Sequence, residues 1–213
     1  MARILITSGP TRQYLDPVRY LTNASSGRMG RALAEAALAA GHEVIVVSGP
    51  VAVEYPPQAK VLPVISTEEL LETCLREFPH CDGVIGAAAP CDYRPVHVES
   101  KKIAKTGQPL ELHLVETPDV MASLGATKRS GQWLVGFALE TDDQRFRALV
   151  KLEKKSCDLI VLNGPTAMDS LHNQVEVLDA TGQVIAAMDG SKEEVASGIL
   201  SVIRERLIKE RKS

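Results

Sequence analysis

At 213 residues, with 45% apolar and 24% charged positions, the chain suits one large α/β domain with a buried core and a solvated surface. Its net charge of −3 gives no overall electrostatic reason to expect nucleic acid, and no apolar run approaches membrane-spanning length. Cys74, Cys81, Cys91 and Cys157 form no CxxC pair and no metal-ligand spacing, and residues 1–20 lack a signal-peptide core. These features read as reduced thiols in a cytoplasmic protein.

The first predicted strand is "ILIT" at 4–7. A dinucleotide fingerprint places its glycines directly after such a strand, but here "PTRQYLDPVRYL" intervenes. Gly9-Pro10 and Asp16-Pro17 punctuate this arm as ordered loop. Within it, Arg19 and Asn23 read by themselves as a salt-bridging arginine and a turn asparagine. Ser25, Ser26 and Gly27 then stand at a helix start, where free N–H groups and the macrodipole favour an anion. Gly27 and Gly30 permit close backbone approach, either to a ligand or to the sheet, and the residues leave both readings open.

"EVIVVSG" at 43–49 is the next strand, and Ser66 with Glu69 has capping-box spacing. "GVIGAAA" at 83–89 ends in tiny residues that let a base or a substrate chain lie against the backbone, with Asp92 following. Lys101, Lys102 and Lys105 fall on a stretch that reads as a mobile loop, and composition alone makes them solvated side chains. Thr117-Pro118 predicts a cap followed by proline at the first helical position. After the strand "WLVGFA" at 133–138, Thr141 and Gln144 match a capping box. The helix over 142–155 carries Arg147, Lys151 and Lys155 on one stripe. "DLIVLN" at 158–163 is a further strand, "VEVLDATGQVI" at 175–185 a hairpin, and Ser191 with Glu194 another capping box. The closing "RERLIKERKS" reads as a solvated, fraying helix end.

Apolar runs without polar alternation, separated by helices, predict a doubly wound, Rossmann-like, mostly parallel sheet with helices on both faces. The expectation is a single domain over 1–213, with a small hairpin on the C-terminal side. Ligands in such sheets bind beyond the carboxyl ends of the strands, which singles out 8–30, 48–60, 87–107, 137–142 and 163–173.

"ITSGPTRQYLDPVRYLTNASSGRMG", "GAAAPCDYRP", "KIAK", "TPD", "VGFALET" and "KKSCDLIVLN" stand in an order that resembles the phosphopantothenoylcysteine synthetase family, the phosphopantothenate–cysteine ligases of coenzyme A biosynthesis. The resemblance implies that CTP, with ATP the alternative, activates 4'-phosphopantothenate to an acyl-cytidylate plus pyrophosphate, and that cysteine then displaces CMP. It implies catalytic roles for Asn23, which handles the acyl-nucleotide, for Arg19 and for Lys102. Nucleotide positions carried over are Ala88, Asp92, Lys102, Val115, Glu116, Thr117, Pro118, Phe137, Lys151 and Lys155, joined by the Ser25-Ser26-Gly27 helix start.

A divalent cation, Mg2+, is implied with no identified ligands, as are a homodimer and a separately encoded flavin-dependent decarboxylase, because the chain starts at the synthetase's first strand. Neither nucleic acid nor membrane is an expected partner. Departures from the family pattern are Ala104 in the lysine loop, Pro90, and Asn163-Gly164 where Asn-Asp is common. The competing readings are an NAD(P)-linked oxidoreductase and a non-catalytic nucleotide-binding regulator.

Overall fold

In the computed structural model, which describes residues 1–139, 144–163 and 172–208, every residue of β1 (Arg3–Ser8) after Arg3 is buried. That burial follows from its place inside the sheet. β1 pairs in parallel with β4 (Glu43–Ser48) on one side and β6 (Gly83–Gly86) on the other. β4 is followed outward by β5 (Lys60–Pro63), and β6 by β9 (Trp133–Leu139) and β10 (Leu159–Asn163), all parallel. β11 (His172–Asp179) and β12 (Val184–Ser191) then extend the sheet antiparallel, giving the order β12-β11-β10-β9-β6-β1-β4-β5.

Successive side chains of a strand point to opposite faces, so a doubly covered strand needs apolar residues at every position. Ile4, Ile6, Val44 and Val46 pack on one face against α1 (Arg28–Ala39) and α5 (Lys192–Arg206), through Leu33, Ala37, Ile199 and Ile203. Leu5, Ile45, Val47 and Val84 meet the other layer, through Leu70 of α2 (Thr67–Glu77), Leu124 of α3 (Val120–Thr127) and Leu152 of α4 (Gln144–Lys154). The expected doubly wound sheet is present, and the hairpin expected at 175–185 forms its antiparallel edge.

The short pieces were not foreseen. β2 (Arg12–Tyr14) and β3 (Tyr20–Thr22) pair within the arm, and β7 (Tyr93–Pro95) pairs with β8 (Leu114–Glu116) away from the main sheet. Three residues are too few to show a period. The run expected at 83–89 ends as a strand at Gly86, although Ala89 N–H still donates to Gly9 O at 2.9 Å.

The caps divide. Ser191 and Glu194 form a complete capping box on α5. Ser66 caps α2, but Glu69 accepts from Ile65 N–H at 2.7 Å instead of closing the box on Ser66. The expected Thr117-Pro118 start is corrected: Asp119 is the N-cap of α3, and Thr117 instead donates its hydroxyl to Cys91 O at 2.8 Å. An Asp119 carboxylate that accepts from Ala122 N–H at 3.1 Å makes the better cap. The Thr141–Gln144 box and the Asn163-Gly164 turn fall partly outside the described residues, as does the end of "RERLIKERKS".

All four cysteines are buried and unpaired. Burial pushes the Cys74 thiol up to about 12, and the Cys81 and Cys157 thiols up to about 11, so these three stay protonated and unreactive near neutral pH.

Candidate active site

The start of α1 lies at the carboxyl end of β1. Gly27, its N-cap, has φ 75° in the left-handed region, and no side chain caps the first turn or places an acid in it. Its N–H groups therefore face the space above the sheet with the positive end of the helix dipole. Gly30 brings this turn down onto β1: a Cβ there would lie 2.0 Å from Ser8 Oγ and 2.4 Å from Ser8 Cβ. Ser8 Oγ in turn donates to Gly27 O at 3.3 Å and accepts from the Tyr55 hydroxyl at 2.8 Å. Gly30→Ala is therefore expected to cost about 1–3 kcal/mol of stability by overpacking. Urea denaturation that leaves the midpoint unchanged would contradict this placement.

A cleft of about 460 Å³ opens from this helix start and is lined by residues 23–30, 87–90, Asp92, Phe137, Ala138, Lys151, Asn163, Asn173 and Lys192. Asn23, Ser25, Ser26, Gly27, Ala88, Asp92, Phe137 and Lys151 are thus brought together as expected site residues. Asn23 Nδ2 donates to Pro90 O at 2.8 Å and to Ala89 O at 3.3 Å, tying the arm to the segment after β6.

Sequence reasoning missed the far wall. Lys192, the first residue of α5, is 8% exposed and donates through Nζ to Oδ1 of the buried Asn173 at 2.9 Å. A lysine in a first helical turn opposes the helix dipole, and that was the available signal. Asn163 Oδ1 is buried and finds no hydrogen-bond donor among the described residues.

A second cleft of about 430 Å³ shares Ala88, Pro90, Asp92 and Phe137 with the first. Beyond that common wall it is lined by Glu116, Thr117, Pro118, Met121, Lys154 and Lys155 among others. Lys155 Nζ pairs with Asp119 Oδ1 at 3.2 Å, and Thr117 N–H donates to Asp92 O at 2.9 Å. The expected nucleotide residues are therefore divided: Ser25, Ser26, Gly27 and Lys151 line only the first cleft, and Glu116, Thr117, Pro118 and Lys155 only the second. Val115, in β8, and Arg147 line neither.

Lys102 and Arg19 lie elsewhere. Lys102 lines a third depression, with Leu15, Lys101, Ile103, Leu110 and His113 among its neighbours. Arg19 Nε stands 3.0 Å from Oδ2 of the fully buried Asp16 carboxylate, and its Nη2 donates to Ile103 O. Burial alone pushes the Asp16 carboxyl up, but the N–H groups of Val18, Ile103 and Arg19, with the Arg19 charge, outweigh it and hold the group below its ordinary value. Among the described residues, no three His, Cys, Asp or Glu side chains converge as a metal cage requires. No helix among them is long and apolar enough to cross a membrane.

The family model for the DNA/pantothenate metabolism flavoprotein C-terminal domain matches residues 1–207. A cysteine/cysteine sulfinic acid decarboxylase from an unidentified prokaryote is 41% identical over 206 residues, 94% of this chain and 57% of that protein. The Vibrio vulnificus coenzyme A biosynthesis bifunctional protein CoaBC is 43% identical over 162 residues, 75% of this chain and 40% of that protein. The chain spans about half the length of the curated relatives it matches. A crystal structure of the C-terminal domain of a coenzyme A biosynthesis bifunctional protein CoaBC superimposes with TM-score 0.81 at 39% identity, covering 96% of each chain.

Proposed function

This chain belongs to the DNA/pantothenate metabolism flavoprotein C-terminal domain family, the phosphopantothenoylcysteine synthetases, and from that premise we propose that it is a phosphopantothenate–cysteine ligase of coenzyme A biosynthesis. The observation that supports this most is the wall of Ala88, Pro90, Asp92 and Phe137 common to two clefts. Two substrates must meet in this reaction, and a shared wall is where they do so. 4'-Phosphopantothenate takes the first cleft, its phosphate toward the α1 start and Lys192 and its carboxylate toward Asn23. CTP takes the second.

A carboxylate oxygen attacks the α-phosphorus and pyrophosphate leaves. The cysteine amine then attacks the acyl carbon, CMP leaves, and the amide remains. The first step joins anions, so charge neutralisation and in-line placement matter more than acid–base chemistry. Asn23 suits the acyl carbonyl because an amide orients it without adding charge. Mg2+ is held mostly by substrate phosphates and waters with one or two carboxylates, and Asp92 is the carboxylate among the described residues of the shared wall.

Lys102 belongs to this proposal through a second copy of the chain. Val96, Val98, Leu110 and Leu112, around the lysine loop, are 61%, 51%, 56% and 39% exposed. Apolar exposure of that kind suits a homodimer contact, across which one copy presents Lys102 to the other's Asn23. A cytoplasmic setting and a flavin-dependent decarboxylase acting on the product complete the reading.

The test is to mix the protein with CTP, Mg2+ and 4'-phosphopantothenate. Pyrophosphate and an acyl-cytidylate are expected, and the amide once cysteine is added. No pyrophosphate with either CTP or ATP overturns the reading and leaves a non-catalytic nucleotide binder. The α4 stripe supplies a second check. Lys155→Ala, on the second cleft, is expected to weaken CTP binding, and Lys151→Ala, on the first, 4'-phosphopantothenate binding, each by about 1.5–3 kcal/mol, the loss of a charge-assisted contact. Unchanged affinity in both variants makes the stripe a solvated face.

A further inference from the structure

We infer that Asp16 and Arg19 are positioning residues that set the reach of Lys102, and that Arg19 acts through this grip instead of touching substrate. What Lys102 does rests on the ligase reading; the grip itself rests on geometry. Ile103, the next residue, is held at both of its peptide groups: its N–H donates to Asp16 Oδ2 at 3.1 Å, and its carbonyl accepts from Arg19 Nη2. On the other side of Lys102, Glu99 N–H donates to Leu15 O at 2.9 Å. The lysine therefore sits on a short span pinned at each end to the arm that leads to Asn23.

Asp16 makes this junction because one carboxylate serves two segments. Oδ1 accepts from Val18 N–H and Arg19 N–H at 2.8 Å each, which folds the arm, while Oδ2 faces the loop and pairs with Arg19 Nε at 3.0 Å. Its side chain has 0% exposure, so no water substitutes. A carboxylate accepts on both oxygens, whereas an asparagine turns an NH2 toward one set of N–H donors. Asp16→Asn must release either the arm or the loop. Lysine at 19 cannot reproduce the fork that touches Asp16 through Nε and Ile103 through Nη2.

A fold-holding ion pair and a positioning pair differ in what they move. Hydrogen exchange on the free protein is expected to show the Ile103 amide opening at least about tenfold faster in Asp16→Asn and Arg19→Lys, while α1 and α5 stay protected. Steady-state assays should show kcat reduced on the order of a hundredfold with KM for CTP held, the pattern of misplaced catalytic groups. Adding Asp16→Asn to Lys102→Gln should cost little more than Lys102→Gln alone, because both act on one group. Unchanged exchange at Ile103, or effects of Asp16→Asn and Lys102→Gln that multiply independently, overturns the inference. Arg19, with a side chain 38% exposed, supplies a variant that folds should Asp16→Asn not do so. A wild-type protein without ligase turnover defeats the functional reading, whereas the exchange measurement still decides the grip.

Discussion

Asn23→Asp is expected to let pyrophosphate form and then stall before the amide. Two physical effects act together. The asparagine amide now donates to Pro90 O and Ala89 O, and an aspartate would set a carboxylate against those carbonyls with nothing to donate. The same carboxylate would stand beside the phosphate of the acyl-cytidylate and repel it. With CTP in the second cleft, as proposed, Asn23 is not among the nucleotide's contacts, so nucleotide affinity should hold. Mass spectrometry of a quenched reaction should find accumulated acyl-cytidylate, with amide formation down on the order of a hundredfold or more, as for a lost oxyanion donor. A variant that makes the amide at the wild-type rate removes Asn23 from the mechanism.

Lys102→Gln should be equally severe for catalysis and nearly silent for folding. The side chain is exposed, and surface substitutions usually shift stability by within about 0.5 kcal/mol. Glutamine keeps much of the length and hydrogen bonding but removes the charge, so the loss in kcat isolates electrostatics. Lys105→Gln should be milder and Lys101→Gln milder still; three equal losses would mean diffuse attraction.

The proposed dimer adds a stronger test. A mixture of Asn23→Asp and Lys102→Gln chains, each nearly inactive alone, should regain roughly a quarter of wild-type activity. Random pairing makes half the dimers mixed, and each mixed dimer rebuilds one of its two sites. No recovery on mixing subunits that exchange would place Lys102 within its own chain's site.

Much of this protein was legible before any coordinates. The five apolar runs became β1, β4, β6, β9 and β10 because strands covered on both faces must be apolar at every position, a local and readable requirement. The helix start at Gly27 was legible for a similar reason, since glycines mark a turn and a close approach whatever surrounds them. The motifs that carry the family resemblance were also readable from order alone.

Grouping was not. Ser25 and Thr117 were both expected at one nucleotide site, yet they line different clefts, because strand order and not chain order decides which loops are neighbours. Lys192 and Asn173 reach the first cleft only because β11 and β12 turn back antiparallel and deliver α5 beside α1. Arg19 read by itself as a salt-bridging arginine, and it is one, but its partner Asp16 and its contact at Ile103 link segments 84 residues apart. The sequence by itself determined the buried strands, the glycine-marked helix start and the family, since these depend on residues close along the chain. Only the tertiary structure decided which side chains share a cleft and which one holds another in place, since those depend on packing between distant segments.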